Sequence, residues 1–198
     1  MKPRLSIGTI EVIVGPMFAG KTSELIRRIV RESYAKKKVG IFKPSIDVRY
    51  SIENVVSHNG LSYPAFVVPT NKNGIWKIYE LAKENGLDVV GIDEAHFFPT
   101  ELVSVCEKLA DEGVRVIVAG LNLDFRGEPF ETVKELLARA DDITYLTAVC
   151  TVCGSPATRT QRLIDGKPAP YDSPRIVVGG KELYEARCRK HHVVPGKP

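Results

Sequence analysis

Residues 10–30, "IEVIVGPMFAGKTSELIRRIV", set an apolar, β-branched run against an amphipathic helical pattern with only residues 15–20 between them. The spacing of Gly15, Gly20, Lys21 and Thr22 in that turn matches G-x-x-x-x-G-K-[ST]. In such a loop the backbone N–H groups turn inward on an anion, and the helix that follows presents its positive end. The expected phosphate-binding set is Gly15, Pro16, Met17, Phe18, Ala19, Gly20, Lys21, Thr22 and Ser23, with Lys21 at the β- and γ-phosphates of ATP and the Thr22 hydroxyl on Mg²⁺. The bland alternative is an ordinary glycine turn, but here the pattern follows a strand and opens a helix.

The same alternation continues downstream. Thr9–Val14 reads as a buried strand, Lys21–Tyr34 as a helix with Leu25, Ile26, Ile29 and Val30 on its apolar face, and "KVGIFKP" as a strand ended by Pro44. "NGIWKIYELAKENG" has helical spacing and stops at Gly86, and "LDVVGIDEA" is another short apolar strand. Residues 99–112 read as a helix, 114–119 as a strand, 131–139 as a helix and 143–148 as a strand. Residues 1–149 therefore read as an α/β domain with a mostly parallel sheet, a P-loop NTPase (RecA-like) core. "SIDVRYSIENVVSHNGLSY" is polar and without period, and reads as a mobile connection.

A second constellation is "VVGIDEAHFF", an apolar strand ending in Asp93 and Glu94. Ligands bind beyond the carboxyl ends of strands in α/β sheets, and an acid there commonly holds the Mg²⁺ of a P-loop protein. Asp93 is the expected magnesium residue, leaving Glu94 as a candidate base; solvated acids at a strand end are the alternative.

A third is Cys150-x-x-Cys153 with Cys188-x-x-His191 downstream. Two short chelating pairs can close a tetrahedral Cys₃His zinc site with no open position, which would be structural; His192 competes with His191 as the fourth ligand. Residues 150–192 are thus expected to form a small zinc-binding domain containing short strands such as "RIVVGG", and 193–198 a loose tail. Cys106 has no partner at chelating distance and reads as an inert buried thiol, while His58 and His96 have no assigned partner.

The 198 residues suffice for a core without disulfides, and no apolar run reaches the roughly 18 residues of a membrane helix. The N-terminal apolar stretch runs straight into the phosphate loop rather than into a cleavage site, so a cytoplasmic protein is expected. Arg27, Arg28, Arg31 and Lys36 to Lys38 cluster after the loop, yet the net charge is only +4 and no basic tract is continuous. A solvated helix face explains them better than nucleic acid does.

"GPMFAGKTSELIRR", "KPSIDVRY", "GIDEAHFF", "GLNLDFRGEPF", "AVCTVCGSPATRTQR" and "YEARCRKHH" together closely resemble the type II, zinc-containing thymidine kinases over nearly the whole chain. The resemblance implies an ATP:thymidine 5′-phosphotransferase acting also on deoxyuridine, with Mg²⁺ for catalysis and Zn²⁺ for structure. It implies a homotetramer inhibited by dTTP. It assigns Glu94 as the general base and Arg49 to the transferred phosphate. Met17, Phe97, Leu121, Phe125 and Phe130 would line the nucleoside pocket, and Thr160, Val177 and Tyr184 would face the base from a "lasso" between the zinc pairs. The chain departs from the commonest pattern in ending its second pair with His191 rather than cysteine, and in Ala95 and His96 where Gly and Gln are frequent.

Two other classes fit the phosphate loop. One is a P-loop ATPase acting on nucleic acid through a zinc ribbon, against which stand the modest charge and the clustering of aromatics near the site motifs. The other is a non-catalytic nucleotide-binding regulator, in which Glu94 would have no task.

Overall fold

The computed structural model describes residues 7–45, 54–58, 60–176 and 183–198. Strand β1 (Thr9–Val14) is buried on both faces, with Val12, Ile13 and Val14 almost wholly inaccessible. Glu11 interrupts this run and is paired: Arg28, from helix α1 (Lys21–Tyr34), reaches its carboxylate at 2.8 Å, and Arg115 holds its other side. A carboxylate in this position is tolerated because both cations accompany it.

The chain continues through β2 (Val39–Pro44), an antiparallel hairpin of β3 (Asn54–Val56) and β4 (Ser62–Pro64), then β5 (Phe66–Val68) and helix α2 (Lys72–Glu84). Next come β6 (Val89–Ile92), helix α3 (Glu101–Asp111), β7 (Arg115–Gly120), helix α4 (Glu131–Arg139) and β8 (Asp142–Tyr145). Six of these strands form one sheet in the order β5-β2-β6-β7-β1-β8, every neighbouring pair parallel. Alternate strand residues supply two cores: Val12, Val90, Val116 and Val118 pack under α2, α3 and α4, while Ile13, Ile41 and Ile117 pack under α1. This is the layered α/β architecture expected of repeated strand–helix units.

Within the polar stretch read as a mobile connection, residues 54–58 and 60–63 carry the β3–β4 hairpin, fastened to the sheet by the Lys43 ammonium donating to the Asn54 carbonyl. Strand β5, unanticipated, completes the sheet edge against β2. The strand expected over 143–148 ends at Tyr145: the Leu146 N–H makes the last ladder bond to β1, on the Val14 carbonyl, and Ala148 pairs with Ala157 in a separate hairpin.

That hairpin, β9 (Ala148–Val149) with β10 (Pro156–Ala157), opens the C-terminal module. Strand β11 (Arg159–Ile164) then pairs with β12 (Lys167–Pro168) and β13 (Leu183–Arg187) in a three-stranded antiparallel sheet. In the segment "RIVVGG", Arg175 and Ile176 lie in no strand and residues 177–180 fall outside the described set. Residues 193–198, expected to be loose, are docked. Val193 exchanges two hydrogen bonds with the buried Gln161 side chain, the Pro195 carbonyl accepts from the Tyr171 N–H, and Lys197 donates to the Arg126 carbonyl. Among the described residues, no helix is long and apolar enough to cross a membrane.

Candidate active site and metal centre

The phosphate loop departs from β1 at Gly15, where a Cβ would lie 2.2 Å from the Leu146 carbonyl oxygen, so no side chain fits. Two further residues of the loop are left-handed, Phe18 (φ 66°) and Gly20 (φ 85°), the latter opening α1. For Gly20 this conformation is easy; for Phe18 it costs of order 1–2 kcal/mol, which the loop sustains to keep its curvature. Lys21 folds back along the loop and donates to the Pro16 carbonyl at 2.7 Å. Burial lowers the pKa of Lys21, and the nearby carboxylates of Glu94 and Asp93 work in the opposite direction.

Strand β7 lies between β1 and β6, so Asp93 at the end of β6 stands about two strand spacings, roughly 10 Å, from the strand that feeds the phosphate loop. Helix α1 closes that gap by crossing towards β6, where Gly91 makes room: a Cβ there would meet Leu25 and Ile29 at 3.2 Å. The result is a direct bond, Thr22 Oγ1 to Asp93 Oδ2 at 3.0 Å. Asp93 is 5% exposed, and burial together with the adjacent Glu94 charge pushes its pKa up to about 7. Glu94 itself is left-handed (φ 53°, ψ 41°) at the start of a short 3₁₀ turn over Ala95–Phe97, and its Oε2 lies 3.0 Å from His96 Nε2.

In the C-terminal module Cys150, Cys153, Cys188 and His191 bring one ligand atom each within 4.8 Å of all the others. A tetrahedron with zinc–sulfur bonds of about 2.3 Å has sulfur–sulfur edges of about 3.8 Å, and zinc–nitrogen bonds of about 2.0 Å give mixed edges of about 3.5 Å. Cys153 and Cys188 are 3.8 Å apart, and His191 Nδ1 lies 3.8 Å from Cys150 and 3.3 Å from Cys188. Desolvation raises the Cys150 pKa, but the N–H groups of Cys188, Val152 and Cys153 and the His191 ring outweigh it and hold the thiol at about 5, a readily formed thiolate. The geometry and donor set fit a zinc ion. His192 is otherwise engaged: its Nε2 contacts the Phe125 carbonyl at 2.8 Å, and since a carbonyl only accepts, that nitrogen carries the proton. Burial lowers the pKa of His192 as well.

A family model described as thymidine kinase matches residues 8–192. The chain belongs to the thymidine kinase family. A thymidine kinase of Thermococcus kodakarensis is 62% identical over 195 residues, covering 98% of this chain and 99% of the relative. One from Pyrobaculum aerophilum is 57% identical over 184 residues, covering 93% and 98% respectively. Membership makes the chain an enzyme, a kinase whose substrates are a nucleoside and ATP.

Among the residues that the thymidine kinase resemblance assigns to the nucleoside, three gather around His96, beside Glu94. The His96 ring is 4.3 Å from that of Phe97 and 5.0 Å from that of Phe130, and its Nδ1 accepts from the Leu121 N–H at 3.1 Å. Met17 is tied instead to the C-terminal module by its N–H bond to Thr160 Oγ1 at 3.0 Å. The antiparallel register places Thr160, Arg162, Tyr184 and Ala186 on one face of the β11–β13 ribbon. Arg162 on that face stands 5.2 Å over the Phe125 ring, linking Phe125 to the module. Arg49 and Val177 lie outside the described residues.

Arginines fasten this side of the site in a way that sequence reasoning missed. Arg162, only 1% exposed, donates to the Pro174 carbonyl; Arg126 donates to the Ser173 carbonyl; Arg175 pairs with Asp124 at 2.8 Å and covers the Phe130 ring at 4.5 Å. Together they tie the turn over residues 122–130 to the segment 171–175. Only "GLNLDFRGEPF", a family motif with an arginine between two aromatics, hinted that cations would sit on rings here.

Proposed function

We propose that the chain transfers the γ-phosphoryl group of ATP to the 5′-hydroxyl of thymidine, giving dTMP and ADP, and accepts deoxyuridine as a second substrate. The observation that supports this reading is the Thr22–Asp93 bond beside Glu94, which brings the loop over residues 15–23 against two adjacent carboxylates, one buried and the other part-exposed. Backbone N–H groups over residues 18–23 and the Lys21 ammonium bind and orient the β- and γ-phosphates, the Met17 N–H being given to Thr160. A Mg²⁺ ion held by Thr22 and Asp93 would supply charge neutralisation on the phosphate oxygens. Glu94 takes the 5′-hydroxyl proton as the new O–P bond forms and the bond to the β-phosphate oxygen breaks; the proton leaves Glu94 for solvent after product release. Arg49 joins the transferred phosphate in this reading, on the strength of the family resemblance alone.

Met17, Phe97, Leu121, Phe125 and Phe130 shape the nucleoside site, with Thr160, Val177 and Tyr184 contributed by a lasso that runs between the two halves of a zinc site. The ion is structural, held by Cys150, Cys153, Cys188 and His191 with no position left open. Residues 1–149 act as the ATP-binding domain and 150–192 as the zinc-binding domain. A cytoplasmic homotetramer restrained by dTTP, its own end product after further phosphorylation, completes the reading, with neither nucleic acid nor membrane as a partner.

The decisive experiment measures ADP release with thymidine and with single-stranded DNA. Thymidine-dependent release with stoichiometric dTMP is expected; release stimulated by DNA alone would replace this reading with a nucleic-acid-dependent ATPase. Glu94→Gln should lower kcat by roughly 10²-fold or more with ATP binding retained.

A further inference from the structure

His96 is buried to 3% of its side chain two residues beyond Glu94, and neither of its ring nitrogens faces solvent chemistry. The Leu121 N–H points at Nδ1 at 3.1 Å, and an amide N–H only donates, so Nδ1 keeps its lone pair. The ring proton therefore sits on Nε2, which is 3.0 Å from Glu94 Oε2. Phe97 and Phe130 pack on the ring at 4.3 and 5.0 Å and deny it rotation. The Glu94 backbone is held in a left-handed conformation that a non-glycine residue adopts only under constraint, and the His96 contact extends that constraint to its carboxylate.

We infer that His96 is a positioning residue for phosphoryl transfer: a neutral imidazole, oriented by the backbone of Leu121, whose Nε2–H fixes the Glu94 carboxylate at the reacting hydroxyl. The inference rests on the reading of Glu94 as the base. It gives the imidazole the job that second partners do for ligating or basic groups elsewhere, setting tautomer and direction without touching substrate. It also ties the base to the nucleoside pocket, since the same ring is braced by Leu121 and Phe130. A displacement of Glu94 of the order of 1 Å is enough to slow the transfer heavily.

The chemistry of the contact selects its own controls. A glutamine at 96 offers one amide oxygen to the Leu121 N–H and one amide N–H to Glu94, reproducing both poles of the ring; a leucine offers neither. His96→Leu should reduce kcat by roughly 10-fold or more with KM for ATP within about twofold, and His96→Gln should stay within about threefold of the parent. Because His96 acts through Glu94, the double variant His96→Leu/Glu94→Gln should be no slower than Glu94→Gln alone. Equal losses in the leucine and glutamine variants, or losses that multiply in the double variant, overturn the proposal. Glu94→Gln at the parent kcat would remove the base and with it the positioning role, whereas a slow Glu94→Gln with a fast His96→Leu removes the positioning role only. Should the leucine variant not fold, ¹⁵N spectra of the imidazole-labelled parent decide: a protonated Nε2 with bare Nδ1 is expected, and the opposite tautomer or a doubly protonated ring at neutral pH refutes the assignment.

Discussion

The backbone N–H of Met17, in the middle of the phosphate loop, donates to the hydroxyl of Thr160, 143 residues further along the chain and on the first long strand of the C-terminal module. The loop over residues 15–23 and strand β11 are thereby joined by one hydrogen bond. Ala19 of the same loop packs on the small core formed by Ala148, Cys150, Ala157 and Ala186. The phosphate loop and the C-terminal module share a wall.

Thr160→Val keeps the shape and removes the acceptor from a half-buried N–H, which costs about 1 kcal/mol or somewhat more. KM for thymidine and for ATP should both rise, by roughly 5-fold, while Thr160→Ser stays near the parent. Steady-state kinetics on the two variants test this, and a change confined to one substrate would argue against a shared wall.

The environment of Asp93 makes a prediction about pH. Its folded-state pKa is near 7, raised by burial and by Glu94, whereas in the unfolded chain it titrates near its ordinary 3.8. Between about pH 4 and pH 7 the unfolded chain has lost this proton and the folded chain has kept it, so stability falls as pH rises through that window and levels off above it. Asp93→Asn has no such proton to lose. In Mg²⁺-free buffer with zinc retained, the asparagine variant should be more stable than the parent at pH 8, by roughly 2 kcal/mol, with the difference shrinking towards pH 4. Added Mg²⁺ and nucleotide should stabilise the parent and not the variant. Urea titrations showing the same pH slope in both proteins would refute the assignment of that slope to Asp93.

One zinc per chain is expected by elemental analysis, because four donors at tetrahedral spacing bind it tightly. His191→Cys should keep the metal and His192→Ala should keep it too, since the His192 ring is spent on the Phe125 carbonyl. Cys153→Ser should loosen the module and raise KM for thymidine. Zinc lost from the His192 variant but retained without His191 would reverse the ligand assignment.

Pyrimidine choice follows from polarity. Thymine and uracil present an acceptor at O4 and a donor at N3, and cytosine inverts both, so a site built for the first pair leaves two buried groups unpaired with the second at about 1–3 kcal/mol each. Thymidine and deoxyuridine should both be phosphorylated, and deoxycytidine and purine nucleosides scarcely at all. Enlarging the floor at Met17 or Leu121 should shift the balance within the first pair only; comparable kcat/KM for thymidine and deoxycytidine would defeat this account.

Where a residue's job is fixed by its immediate neighbours in the chain, its place could be read directly. Helix α1 runs over Lys21–Tyr34 and α4 over Glu131–Arg139, the bounds their spacing predicts, because a loop of fixed chemistry starts the one and an uninterrupted apolar period marks the other. Strand β5 escaped notice since three residues at a sheet edge carry too little pattern to be seen beside a polar stretch. The strand-like pattern of residues 143–148 hid the break after Tyr145, because Ala148 leaves the sheet to pair with Ala157, a partner nine residues on that local pattern does not reveal. Arg162 looks like a surface charge until Phe125 and Pro174 are placed around it. His191 and His192 are adjacent and chemically identical, and only the fold tells them apart, turning the one to Cys150 and Cys188 and the other to the Phe125 carbonyl.

The docked C-terminus bears on how the protein is handled. Pro195 and Lys197 hold Tyr171 and Arg126, one in the segment 171–175 and the other in the turn over residues 122–130, so residues 193–198 serve as a clasp across those two pieces of chain. An affinity tag or reporter fused directly after Pro198 would pull on that clasp. A spacer long enough to leave Lys197 seated against Glu128, or placement of the fusion at the opposite terminus, would spare it.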